Sequence, residues 1–172
     1  MKKEEKENLT VSGPILMAAL SPCTGSEGLK QVAAGWNSSG YRIHLMEGEA
    51  SADTVGSCLE ETRPILLALS CNSESSLDEL ERLFTENTIP CQTPVILGGI
   101  YATPFLAGRI RDKYHHLAYY CRNLQNADAV LEMALNNDLP DPPLKGHGIL
   151  LSPEGELAMI ALRQDLAFFS AP

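Results

Sequence analysis

Basic residues are scarce in this chain, and long apolar runs are missing. The 172 residues carry 13 Lys+Arg against 22 Asp+Glu, a formal net charge of −9. That balance opposes electrostatic attraction to nucleic acid or to anionic lipid. No segment approaches the ~20 consecutive apolar residues of a membrane-spanning helix. We therefore expect neither direct nucleic-acid binding nor insertion into a membrane.

Paired cysteines are also lacking. The cysteines are odd in number and scattered, with no Cys-x-x-Cys pair; they are Cys23, Cys58, Cys71, Cys91 and Cys121. This pattern is typical of reduced thiols in a cytosol and argues against a zinc site. The first apolar run, 14–20, is too short and too far from the start of the chain for a secretory signal. The sequence predicts a cytoplasmic protein.

Short apolar runs alternate with helical patterns between residues 13 and 137. The run 15–20 is apolar throughout, which is typical of a strand buried on both faces, and 65–69 and 94–97 are similar. Five strand–helix units follow one another, with strands also predicted at 41–46 and 117–120. Because such crossovers are right-handed, the pattern predicts a flavodoxin-like α/β sandwich with a five-stranded parallel sheet in the order 2-1-3-4-5.

Helix signals and composition shifts give the remaining boundaries. Ser26 is a candidate N-cap for the first helix, the second spans 51–61, and Thr103-Pro104 opens the fourth. The flanking segments are outside this α/β domain, which covers 13–137. They are a charged tail (1–12), a Pro-rich linker (138–146) and a C-terminal β-hairpin extension (147–172).

A ligand site is expected outside the carboxyl ends of the strands, where open parallel sheets bind ligands. Three loops there are rich in small residues, namely 21–28, 70–75 and 98–103. Small residues let a bulky ligand approach the backbone, although they also suit tight turns without any ligand. The predicted ligand-binding residues are Gly25, Ser26, Gly28, Ser70, Cys71, Asn72, Gly98, Gly99 and Tyr101. As loop tips, Ser70 and Gly99 should tolerate bulky substitutions that block the site, unless Gly99 has a positive φ, which would make any side chain there destabilising.

Over about residues 13–136 the chain resembles the cobalamin-binding domain. In that family a buried strand leads into an Asp-x-His-x-x-Gly loop, the third strand ends in serine and the fourth ends in Gly-Gly. Here Ser70 matches the serine and Gly98-Gly99 matches the glycine pair, whereas the loop aligns with 23–28 and keeps only its last glycine, Gly28. The family's histidine ligand to cobalt is replaced by Gly25. The resemblance implies cobalamin that keeps its own base as the lower ligand, with haem or no cofactor as alternatives.

Other residues offer further candidates. His44, His115 and His116 fall in or beside predicted elements, whereas His147 follows the linker and could ligate iron or cobalt. Cys23 lies near a helix N-terminus that would favour a thiolate. The 24–27 segment loosely resembles the flavodoxin phosphate loop, which suggests a flavin. A receiver domain of two-component signalling shares the fold, but the aspartate and lysine that it needs are absent after the third and fifth strands.

The sequence shows no catalytic constellation, so we do not expect an enzyme. The first hypothesis is a sensory or regulatory module that binds a tetrapyrrole-type cofactor, cobalamin or haem, and acts through a partner protein. The second is a corrinoid carrier or flavin-binding component of an enzyme system. The third is a cofactor-free protein-interaction domain.

Overall fold

The computed structural model describes residues 13–22 and 26–139. The charged tail, the segment 23–25 with Gly25, most of the linker and the predicted hairpin with His147 lie outside the described residues. The strands are β1 (Ile15–Leu20), β2 (Ile43–Ala50), β3 (Leu66–Ser70), β4 (Val95–Gly98) and β5 (Ala118–Tyr120). The helices are α1 (Glu27–Ser38), α2 (Ala52–Thr62), α3 (Ser75–Thr85), α4 (Pro104–Tyr114) and α5 (Ala127–Asn136), with a 3₁₀ turn at Leu124–Asn126.

The five strands form one parallel sheet in the order β2-β1-β3-β4-β5, which confirms the predicted fold. All residues of β1 and β3 are buried. Helices cover both faces of these central strands, which explains why their sequences are apolar at consecutive positions. No helix in the described part of the chain is long and apolar enough to cross a membrane.

The sheet separates the core into two parts. Leu16, Leu67 and Leu97 face helices α2, α3 and α4. Met17 and Ile96 face α1 and α5, together with the buried Trp36. Successive strand residues alternate between the two faces, so each strand contributes to both halves of the core.

The structure moves β2 from the predicted 41–46 to Ile43–Ala50. Its last residue, Ala50, pairs with Leu20 of β1, but Glu47 and Glu49 are exposed because β2 is an edge strand. Because these glutamates are polar, the second half of the strand does not appear as an apolar run in the sequence. The boundaries of β1 match the prediction, and those of β3, β4 and β5 differ from it by at most one residue.

Helices α2 and α4 begin with a side-chain capping hydrogen bond, whereas α1 does not. The Ser51 side chain accepts a hydrogen bond from the Thr54 backbone N–H, and Thr103 accepts one from Leu106 with Pro104 in the first turn. Ser26 occupies the N-cap position of α1 but makes no capping hydrogen bond. The first turn of α1 therefore keeps N–H groups that its cap residue does not satisfy.

Helices α2 and α3 are joined by a charged contact near the start of α2. A Glu79 carboxylate oxygen accepts a hydrogen bond from the Ala52 backbone N–H at 2.6 Å. Arg82 lies between three carboxylates, those of Asp53, Glu79 and Glu86. A carboxylate at a helix N-terminus satisfies a free N–H group and also interacts favourably with the helix dipole.

We expect Glu79→Ala to lower the free energy of unfolding by about 1–2 kcal/mol, because it removes this capping interaction. Glu86→Ala is the matched control, since Glu86 also pairs with Arg82 but caps nothing. An exposed ion pair of this kind is worth at most about 1 kcal/mol and often much less. Urea unfolding of both variants measures the difference, and equal losses would contradict a capping role for Glu79.

Candidate functional site

The loops after β1, β3, β4 and β5 meet at one edge of the sheet, because all the strands are parallel. This is the edge at which open parallel sheets bind ligands. The loops are held together by hydrogen bonds that cross between them. Ser73 Oγ donates to the Pro22 carbonyl at 2.8 Å, and the Cys71 N–H donates to the Gly98 carbonyl at 2.8 Å.

A cavity of about 170 Å³ opens at this edge, on the face of the sheet that carries α1 and α5. Its floor is formed by β1, β3 and β4, one wall by α1, and the other by the loop that follows β5. The walls are largely apolar. The lining residues are Met17, Gly28, Leu29, Val32, Trp36, Ala68, Leu69, Ile96, Gly98, Gly99, Cys121, Arg122, Asn123 and Leu124.

Two glycines keep the cavity accessible. A Cβ atom placed on Gly28 would meet no other atom within 4 Å, and one placed on Gly98 would meet only the Cys121 carbonyl oxygen, at 3.8 Å. Neither glycine has the positive φ that would exclude a side chain. Their absent side chains therefore leave open space, which is what the sequence analysis expected of small residues here.

Gly99 is a glycine for a different reason. Its φ is +98°, and an added Cβ would lie 2.5 Å from the Cys71 carbonyl oxygen and 2.7 Å from Asn72 Oδ1. Both the backbone conformation and the close packing exclude a side chain. The expected tolerance of bulk at this position is therefore wrong, for the reason that the sequence analysis named as its exception, a positive φ at Gly99.

Ser70 and Asn72 hold the neighbouring loop in place. Asn72 Nδ2 donates to Ser70 Oγ at 2.9 Å, and the Ile100 N–H donates to Asn72 Oδ1 at 3.3 Å. Ser70 is only 7% exposed, so a larger side chain would overpack the core. The predicted tolerance of Ser70 to bulk is therefore wrong as well, because this residue ends a buried strand and is not a loop tip.

The structure thus divides the predicted site residues into groups. Gly28, Gly98 and Gly99 line the cavity. Ser70 and Asn72 position the loop that borders it, and Ser26 precedes α1 without lining the cavity. Cys71 and Tyr101 pack on the opposite face of the sheet, where Cys71 is fully buried. Cys71 supports the loop after β4 through its backbone carbonyl, which accepts a hydrogen bond from the Tyr101 N–H at 2.9 Å, and not through its thiol.

Apart from Gly28, the contributions of α1 and of the loop after β5 were not predicted from the sequence. Trp36 lines the cavity and is held by a hydrogen bond from its Nε1 to Asp128 Oδ1 of α5 at 3.1 Å. Residues 121–124 close the cavity from the other side. The predicted strand order contained the signal for this loop, since β5 lies beside β4 and its carboxyl end reaches the same edge.

Exposed apolar side chains occur at the cavity and on a loop next to it. Leu124 lines the cavity and is 48% exposed, and Ile100, next to Gly99, is 76% exposed. Both belong to the small set of large apolar residues that the described surface exposes. Two such residues beside an apolar cavity favour a ligand with a broad apolar face.

The described histidines lie away from the cavity. His115 ends α4 and His116 precedes β5, both at the amino edge of the sheet. The His116 ring nitrogen Nε2 is 3.0 Å from the Pro90 carbonyl oxygen, and its Nδ1 has no partner among the described residues. His44 lies near the start of β2, with Nε2 3.6 Å from Cys58 Sγ. Residues 13–22 and 26–139 contain no group of three or more His, Cys, Asp or Glu side chains placed to hold a metal ion.

Cys121 is the one described cysteine that lines the cavity. Its Sγ donates to the Asn123 carbonyl at 3.4 Å and to Asn126 Oδ1 at 3.6 Å. Burial raises the pKa of the Cys121 thiol, with a smaller opposing contribution from the hydrogen bond to Asn123. A raised pKa favours the protonated thiol, which is the opposite of what activates a cysteine nucleophile.

Comparisons with known proteins give similarity of structure only. No protein-family model matches the chain, and no curated protein matches it in sequence. It is similar in structure to the methanol:cobalamin methyltransferase complex MtaBC of Methanosarcina barkeri, with a TM-score of 0.60 and 17% identity over 78% of this chain. It is also similar to a cobalamin-binding protein of Desulfitobacterium hafniense DCB-2, with a TM-score of 0.57 and 15% identity over 70% of this chain. The matches span 52% and 57% of those two chains.

The buried Cys71 thiol should make stability fall at alkaline pH. Burial raises its pKa from 9.0 to about 12, against a smaller effect of the hydrogen bond to Ser76. Because the folded state keeps a proton that the unfolded chain releases, the stabilisation is complete below pH 9 and is lost as the pH rises towards 12. One such group lowers the free energy of unfolding by up to about 1.4 kcal/mol for each pH unit in this range.

We expect the free energy of unfolding of Cys71→Ala to fall less steeply at alkaline pH than that of the unmodified chain. Cys91→Ala, which changes an exposed cysteine, should show the same pH dependence as the unmodified chain. Urea unfolding between pH 8 and 10.5 measures the three slopes. The tyrosines and other cysteines are unchanged in these variants, so the difference isolates Cys71. Equal slopes for Cys71→Ala and the unmodified chain would contradict its burial as a thiol.

Proposed function

We propose that this chain is a corrinoid-binding module that takes cobalamin at the carboxyl edge of its sheet and acts through a partner protein. The observation that carries the proposal is the cavity between α1 and the loop after β5, with Gly28 at its rim, Gly98 in its floor and apolar side chains at its mouth. The structural neighbours named above, both described as cobalamin proteins, share this fold and support the choice of ligand.

The dimensions of the cavity agree with part of a cobalamin entering it. Drug-sized ligands occupy pockets of about 300–1,000 Å³, so a cavity of about 170 Å³ cannot enclose a corrin ring. It can hold a smaller planar group, such as the bicyclic base that projects from one face of the ring. The ring itself would then cover the mouth, against Ile100 and Leu124. A flat haem carries no such projecting base, and the neighbours named above give haem and flavin no support.

Binding should be visible through Trp36, the only tryptophan in the chain, because it lines the cavity. We expect cobalamin to quench its fluorescence in proportion to occupancy. Gly28→Phe should weaken the affinity at least tenfold, about 1.4 kcal/mol, because the new ring would narrow the mouth. Replacing a helical glycine should not destabilise α1.

Gly35→Phe is the matched control, since Gly35 is also an exposed glycine of α1 with open space around it but does not line the cavity. It should bind cobalamin like the unmodified chain. If Gly28→Phe and Gly35→Phe bind equally well, the cavity is not the site. If the unmodified chain binds no cobalamin, the proposed function fails and a cofactor-free interaction domain becomes the better description.

The base should remain the lower ligand of cobalt. Gly25 stands at the position of the histidine in the resembling family and has no donor atom, and the described histidines lie elsewhere in the fold. We expect the electron paramagnetic resonance spectrum of the bound cob(II)alamin to show nitrogen coupling from the base. Labelling the base with nitrogen-15 should change that pattern, and an unchanged pattern would indicate a nitrogen from the protein.

Action through a partner is the second part of the proposal. The neighbour from Methanosarcina barkeri, MtaBC, is a methyltransferase complex. In this chain Ile100 is 76% exposed on a loop that the Asn72 side chain holds in place. A ligand over the cavity would change the surface around this loop, which gives a regulatory or carrier module a way to signal its occupancy.

A further inference from the structure

We propose that Arg122 binds the phosphodiester of the ligand, so that the site selects corrinoids that carry a nucleotide base over those without one. This inference rests on the proposed function. Arg122 lies in the loop after β5, which is outside the site predicted from the sequence.

Arg122 is an exposed cation on the wall of an otherwise largely apolar cavity. Within the described part of the chain it makes no hydrogen bond or ion pair, although its charge partly offsets the rise that burial causes in the pKa of the neighbouring Tyr120. Other arginines are engaged: Arg82 lies among three carboxylates, and Arg111 donates to the Ala118 carbonyl. The guanidinium of Arg122 is thus available to a ligand at the mouth.

The backbone that carries Arg122 is fixed by its neighbours. Asn123 Oδ1 accepts hydrogen bonds from the backbone N–H groups of Gln125 and Asn126, at 3.1 and 3.2 Å. Cys121 Sγ donates to the Asn123 carbonyl. A loop held on both sides of Arg122 presents its side chain from a defined position, which lowers the entropic cost of binding.

The opposite wall is the first turn of α1, which includes Gly28. The helix dipole favours an anion on that side as well, and the Ser26 side chain does not cap this turn. The carboxylate of Glu27 in the same turn is paired with Lys30 at 3.0 Å, so the acidic group nearest this wall is already balanced. The electrostatic environment of the mouth therefore suits a negative group, in a chain whose net charge is −9.

The chemistry of cobalamin identifies that group. The side chains of the corrin ring are uncharged amides, and a phosphodiester joins the ring to the base. If the base enters the apolar cavity, its phosphodiester is left at the mouth. The forked guanidinium of arginine matches the geometry of phosphate oxygens. Arg122 would then distinguish cobalamin from cobinamide, which lacks both the phosphodiester and the base.

The test compares two ligands and three proteins by the quenching of Trp36. We expect Arg122→Gln to weaken cobalamin binding about tenfold or more, since a charge-assisted contact is lost. Its affinity for cobinamide should not fall. Arg42→Gln is the control, because it removes the same charge at an exposed position beside the amino end of β2. It should leave both affinities unchanged.

The outcomes separate this inference from the function on which it rests. If Arg122→Gln weakens both ligands equally, or neither, Arg122 does not contact the phosphodiester, and the corrinoid-binding function still stands. If the unmodified chain binds neither ligand, both proposals fail. Circular dichroism and thermal unfolding of each variant establish that any loss arises in a folded protein.

Discussion

The structure depends on one constraint, which is that β1, β3 and β4 are covered by helices on both faces. Parallel pairing of these buried strands brings their carboxyl ends to a single edge and places α1 and α5 on one face. The loops at that edge must then turn sharply between a strand and a helix. Everything proposed for the site follows from this arrangement, because the loops supply the groups and the sheet supplies the floor.

The cavity exists because small residues interrupt the packing on one face. Ala68 and Gly98 in the floor carry too little volume to fill the space beneath α1, while Gly28 leaves its rim open. On the other face the equivalent region is filled, with Cys71 and Leu80 buried. Open space that is walled by Trp36 and Met17 is apolar, so it favours an apolar part of a ligand and leaves any charge at the mouth.

The glycines and polar residues of the resembling family's motifs have different physical roles here. The missing side chain of Gly98 leaves open space in the floor of the cavity. At Gly99, by contrast, the φ of +98° and the adjacent Cys71 carbonyl exclude a side chain. Ser70 and Asn72 form a hydrogen-bonded support for the loop that carries Ile100. The same residues that match a binding motif in sequence are thus partly required by the fold itself.

The amino-acid sequence by itself determined the fold class, the strand order and most boundaries, because buried runs and capping residues such as Thr103 are local signals. It also placed Gly28 and Gly98 at the right edge, since the carboxyl ends of parallel strands must meet. Only the tertiary structure decided which face holds the cavity, that Cys71 turns away from it, and that Trp36 and Arg122 border it. Those facts depend on how α1 packs against distant parts of the chain. Trp36, for example, donates its hydrogen bond to Asp128 of α5, 92 residues later, and no local pattern encodes such a contact.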